Sequence, residues 1–151
     1  MRIRLDTNVV CRLAERGHPH HAPAKGATAK LEAAGHTPCL VPQVLYEYWV
    51  VVTRPVAENG LGMSTADADQ AIDLWLDLFT LIRDERGILS LWRDLARQHD
   101  VKGTNAHDAR LVSAMLRHGI AHLLTFNVGD FARFPEITVH TPEQVLAGTA
   151  L

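Results

Sequence analysis

The stretch "AHDARLVSAMLRHGIAHLLTFNVGDF", residues 106–131, carries the pattern that decides the fold. From Ala106 to His118, Leu111, Val112 and Met115 recur at helical spacing, and Gly119 closes the helix. "HLLTF", 122–126, follows as a short buried strand, and Asn127 and Asp130 come straight after it. A helix feeding a buried strand is the repeating unit of a parallel α/β sheet. In such sheets ligands bind outside the carboxyl ends of the strands, where Asn127 and Asp130 stand.

The same unit recurs outward from this stretch. "RIRLDTNVV", 2–10, runs the alternation Ile3, Leu5 into Asp6, and a helix follows from Thr7 to about Arg16. After the loop "HPHH", an Ala- and Lys-rich helix runs from about Ala22 to Ala34 and ends at Gly35. "PCLV", 38–41, reads as a strand, and Pro42 opens the helix "QVLYEYWVVVT". Past the loop "RPVAENGLGM", Ser64 and Asp67 resemble a capping box for a helix to about Leu78. "TLIRD" reads as a strand, Gly87 to His99 as a helix, "ITVH" as the last strand, and "TPEQVL" as a capped helix. Strands alternate with helices throughout. The expectation is one α/β domain over 1–151, a mostly parallel sheet flanked by helices on both faces.

Composition narrows the classes. A chain of 151 residues with 47% hydrophobic and 21% charged residues suits one globular domain with a real core. The formal net charge of −2 advertises no global basic field for nucleic acid, although 12 of the 15 cationic residues are Arg, which suits phosphate if they cluster. Cys11 and Cys39 sit among apolar neighbours and read as buried thiols. No stretch has the form of a signal peptide or a membrane span, so the expected location is the cytoplasm.

Most acids read as solvated. Asp69, Asp73 and Asp77 lie four apart, opposite the stripe Ala68, Ile72, Trp75, Leu76 and Phe79. Glu47 differs, because Val44, Tyr48 and Val51 place it in or beside an apolar stripe. Asp108 shares a face with Leu111, Val112 and Met115. A buried lone carboxylate is costly unless paired, hydrogen-bonded or metal-bound. Structural alternatives exist for each: an Arg salt bridge for Glu47, a favourable helix-start dipole for Asp108, an Asx turn for Asn127 and Asp130. If Asp6, Glu47, Asp108 and Asp130 converge, they repel one another unless a cation sits among them, and hard oxygen donors suit Mg²⁺ or Mn²⁺. A carboxylate-held ion of that kind serves phosphate chemistry.

On "LDTNVV", "VPQVLYEYWVVVTRP", "HDARLVSAMLRHGIAHLLTFNVGDFARFP" and "ITVHTP", which cover the chain nearly end to end, the sequence resembles the PIN-domain ribonucleases, specifically the VapC-like toxins of bacterial toxin–antitoxin pairs. The resemblance implies an α/β/α sandwich and Mg²⁺- or Mn²⁺-dependent hydrolysis of single-stranded RNA. It also implies inhibition by a cognate antitoxin protein, and a homodimer. Carried across, Asp6 matches the family's first acid, Glu47 the second and Asp108 the third. Many members have an acid where Asn127 stands, so Asp130 is the expected fourth ligand, directly or through water, with Asn127 lining the site. Asn8 is expected to position a neighbouring carboxylate. Asp6 and Asp108 would hold a metal that activates a water for in-line attack on phosphorus, and Glu47 would orient or deprotonate that water or share the metal.

Arg12 and Arg16, one helical turn apart, and His107 are candidate RNA contacts, structured RNA included. His18, His20 and His21 lack the fourth ligand of a structural zinc site. Trp49, Trp75 and Trp92 read as core or dimer contacts. Three other functions compete. A haloacid-dehalogenase-type phosphatase wants a second Asp where Asn8 stands. A PIN-like module could bind RNA or protein without cutting. A dimeric structural protein could bury its acids in salt bridges.

Overall fold

A computed structural model describes residues 1–151. Five strands form one sheet: β1 (Arg2–Leu5), β2 (Thr37–Leu40), β3 (Thr80–Leu81), β4 (His122–Leu124) and β5 (Thr138–His140). The order is β3-β2-β1-β4-β5 and every pairing is parallel. The helices are α1 (Thr7–Ala14), α2 (His21–Ala33), α3 (Pro42–Thr53), α4 (Thr65–Leu78), α5 (Gly87–Gln98), α6 (Asn105–Arg117), α7 (Val128–Phe131) and α8 (Pro142–Ala147). None is long and apolar enough to cross a membrane.

The local chemistry explains the boundaries. Pro42 fills the first turn of α3, where its missing N–H costs nothing. Thr141 and Gln144 form a full capping box on α8, whereas at α4 Ser64 accepts from the Asp67 N–H without that reciprocal bond. Gly119, at φ +65°, supplies the left-handed turn that closes α6 and delivers the chain to β4. The strand expected over "TLIRD" shrinks to Thr80–Leu81, because β3 is an edge strand and Asp84 and Glu85 turn outward to pair with Arg110 and Arg117. β4 likewise ends at Leu124, short of the expected Phe126.

Both sheet faces are covered, so β1 is buried at successive positions: Ile3, Arg4 and Leu5 all have no exposed surface. The core joins these to Val9, Val10, Leu40, Val44, Tyr48, Val112, Met115, Leu123 and Leu124. Truncating one of them, Leu124→Ala for example, removes about 2–5 kcal/mol of stability.

The topology fixes where a site can form. From β1 the chain moves outward through β2 to β3, then returns to lay β4 on the other side of β1. The connections leaving β1 and β4 therefore diverge, and their carboxyl ends flank a crevice at this switch point. The Asp6 N–H donates to the Leu124 carbonyl at 3.0 Å, which ties the two strand ends together.

Candidate active site

The crevice is a cleft of about 400 Å³. Asp6, Asn8, Glu47, Asp108, Asn127 and Asp130 all line it, with Arg12 and Arg54 among its cationic residues. Four elements deliver the acids: Asp6 follows β1, Glu47 lies on α3, Asp108 in the first turn of α6, and Asp130 on α7. That last turn of helix, Val128–Phe131, replaces the simple Asx turn that Asn127 and Asp130 suggested.

Asp6 is the most firmly held. Its Oδ2 accepts from Asn8 Nδ2 at 3.1 Å and from Thr125 Oγ1 at 2.7 Å. Its Oδ1 faces Arg4 Nη2 at 3.4 Å. Asn8 ties itself down through Thr125 Oγ1 and by accepting the Phe126 N–H. Glu47 is held on both oxygens, by Thr7 Oγ1 at 2.6 Å and Gln43 Nε2 at 2.8 Å. It forms no salt bridge to an Arg. Gln43 also donates to the His107 carbonyl and accepts from Arg110, so it couples α3 to the start of α6.

Asp108 and Asp130 have no cationic partner. Burial, followed by the charges of Asp130, Asp6 and Glu47, raises the Asp108 carboxyl to about 6 against an opposing pull from Arg4. The helix-start dipole favours an anion there, yet burial and three neighbouring acids prevail.

Arg4 is the residue the sequence did not flag. Its guanidinium is wholly buried beneath the cleft, 5.6 Å from the centroid of the Phe131 ring. Its Nε and Nη1 have no hydrogen-bond partner. Burial lowers its pKa, Asp6 and Glu47 raise it, and a guanidinium remains protonated. Arg4 thus places one fixed positive charge behind four acids. Thr7, Gln43 and Thr125 were missed as well. Gln43 stood one helical turn before Glu47, and Thr125 beside Asn127, which were the available signals.

The three candidate RNA contacts separate. Arg12 lines the cleft, in an ion pair with Glu15 at 2.7 Å. Arg16 does not, because α1 ends at Ala14 and the chain leaves its helical path. It borders a different groove, with Lys25, Leu74 and Leu78. His107 is exposed at the start of α6 and does not line the cleft.

As the side chains stand, no three His, Cys, Asp or Glu form a group that could hold a metal ion. The donor chemistry nevertheless fits a hard divalent cation: all-oxygen donors, mutually repelling, two of them free of any protein cation. Asp6, Glu47, Asp108 and Asp130, which line the cleft, are the residues that would hold it.

No protein-family model and no curated protein matches the sequence. Solved structures do match. VapBC2 from Rickettsia felis bound to a promoter DNA fragment aligns at TM-score 0.72 and 16% identity, over 93% of this chain and 98% of that one. A toxin–antitoxin complex from Klebsiella pneumoniae aligns at 0.63 and 23%, over 93% and 97%. VapC20 of Mycobacterium tuberculosis, a Sarcin-Ricin loop cleaving toxin, aligns at 0.64 and 19%, over 87% and 95%. At such identities the likeness speaks for the fold, and the chain has the VapC-like PIN fold that its sequence motifs resembled.

Proposed function

We propose that this chain is a Mg²⁺- or Mn²⁺-dependent endoribonuclease acting on single-stranded RNA, the toxin of a toxin–antitoxin pair. The observation that carries the reading is that Asp6, Glu47, Asp108 and Asp130 line one cleft at the switch point of a VapC-like fold, where burial first, and then Asp130, Asp6 and Glu47, raise Asp108 to about 6. Such frustration costs stability unless the site exists to bind a cation.

When bound, the metal would polarise a phosphoryl oxygen and lower the pKa of a water. The chain's own residues divide the remaining work. Asp6, fixed by Arg4, Asn8 and Thr125, is the rigid ligand. Asp108 and Asp130 complete the ligand set. Glu47 is held from behind by Thr7 and Gln43 and orients the attacking water or takes its proton. Asn127 lines the entrance, and Arg12 and Arg54 give the acidic cleft a cationic rim for backbone phosphate. Attack by water leaves a 5′-phosphate and a 3′-hydroxyl and needs no 2′-hydroxyl nucleophile.

The same reading includes a cytoplasmic setting, an antitoxin that blocks the cleft, and a homodimer. Tyr46 and Val50, exposed four residues apart on α3, offer an apolar face for the second copy.

The test is cleavage of labelled single-stranded RNA with Mg²⁺, Mn²⁺ or chelator, beside Asp6→Asn and Asp108→Asn. Metal-dependent cutting lost in both variants is expected. RNA binding without cutting, unchanged in the variants, would replace the enzyme with a binding module.

A further inference from the structure

The loop between α1 and α2 carries two imidazoles, His18 lining the cleft and His20 beside it. The His20 ring lies flat on the Phe126 ring, with centroids 4.4 Å apart and planes within 6°. His18 leans against His20 at 5.2 Å and 58°, and its Nδ1 accepts the His20 backbone N–H at 3.0 Å. His18 itself lines the cleft.

This stack hangs on the atoms that hold Asp6. Phe126 sits between Thr125, which donates to Asp6, and Asn127, which lines the cleft. Its backbone N–H donates to Asn8, whose amide donates to Asp6. The platform and the first acid therefore keep a fixed relation to each other.

A local structural role does not account for the imidazole of His20. The residue stands at the N-cap of α2, yet its side chain makes no capping hydrogen bond. Phe126 packs on the core, and His20, exposed, extends that packing one aromatic layer into solvent. An exposed aromatic ring beside a phosphodiester-cleaving site has the chemistry of a base platform. Unpaired bases stack on His, Phe, Tyr and Trp, and every base offers a π face.

We propose that the exposed ring of His20, with His18 beside it, is a stacking subsite for the unpaired nucleobase flanking the phosphate held in the cleft. The subsite rests on the ribonuclease reading and deepens it. It selects single-stranded over paired RNA and tolerates any base, so discrimination among sequences lies elsewhere in the cleft.

Steady-state cleavage of a short labelled single-stranded RNA of mixed sequence tests it, in Mn²⁺, with wild type, His20→Ala and His20→Phe. His20→Ala should raise KM by about 5- to 150-fold, the range per stacked base, with the loss in kcat/KM carried by KM. His20→Phe should restore KM, which a titrating or hydrogen-bonding role of the imidazole would not allow, and unchanged thermal midpoints would set aside a packing role on Phe126. Thermal midpoints of the variants should match wild type, since the ring is exposed. If wild type cleaves and His20→Ala has the same KM, or His20→Phe fails as His20→Ala does, the subsite is overturned and the nuclease stands. If wild type neither binds nor cleaves RNA with metal, the nuclease reading is overturned and the subsite with it.

Discussion

Asp108→Asn should stabilise the metal-free protein while removing its metal affinity. Moving the carboxyl from 3.8 up to about 6 makes the ionised form unfavourable in the folded state. At about 1.36 kcal/mol for each unit, the ceiling is roughly 3 kcal/mol, and screening of a half-buried side chain reduces it to about 1–2 kcal/mol. The sign follows from proton binding. Between pH 3.8 and about 6 the folded state holds the proton more tightly than the unfolded chain, so this group's contribution to stability falls as pH rises, and its full cost applies above about 6. Asparagine removes the charge and most of the cost. At pH 7.5 in chelator, the thermal midpoint should rise by roughly 2–8 °C, and the gain should largely vanish by about pH 4. Saturating Mn²⁺ should reverse the ranking, since wild type gains about 2.7 kcal/mol at a ligand concentration of 100 Kd and the variant does not. Thermal melts at both pH values, with and without Mn²⁺, decide it. A variant no more stable than wild type at pH 7.5 in chelator, or equally stabilised at pH 4, refutes the electrostatic reasoning.

Arg4→Met should act in the opposite direction. It leaves the acids without their buried counter-charge, and the loss at pH 7.5 in chelator should be about 2–3 kcal/mol by urea denaturation, smaller with Mn²⁺ present. Gly60→Ala should cost at least about 1–3 kcal/mol, because a Cβ there would lie 1.9 Å from the Arg54 carbonyl oxygen. RNA cleavage should fall with it, since both residues line the cleft. His122 Nδ1 and His140 Nε2 lie 3.0 Å apart, and burial holds both imidazoles below their usual pKa. Their folded-state values lie under the unfolded 6.5, so this stability is full above 6.5 and lost as pH falls through the folded values. Wild type should lose stability relative to His140→Gln between pH 7 and pH 5, measured by urea midpoints.

The architecture was legible because each helix and strand carried its own period and its own stop signal, as Met115, Gly119 and Leu123 show together. Asp6, Asn127 and Asp130 followed from one topological rule about strand ends, whereas Glu47 and Asp108 stood out as acids on apolar helix faces. What escaped was set by tertiary context. The alternation Ile3, Leu5 left Arg4 on a face that reads as wet, whereas a sheet covered on both faces buries it. Arg12 and Arg16 looked like one helical face until the chain left α1 at Ala14. The single turn Val128–Phe131 is too short for periodicity to show. The stack of His20 on Phe126 joins residues more than a hundred positions apart, beyond the reach of any local pattern.

The four acids are expected to close on a divalent cation. Calorimetric titration of Mn²⁺ at pH 7.5 into wild type, Asp6→Asn, Asp108→Asn and Asp130→Asn tests it without reference to any RNA. Saturable binding to wild type, weakened by at least about tenfold in Asp6→Asn and Asp108→Asn, is the expected result, and the stoichiometry counts the ions. No saturable binding, or equal affinity in wild type and both variants, would mean that the acids do not form a metal site.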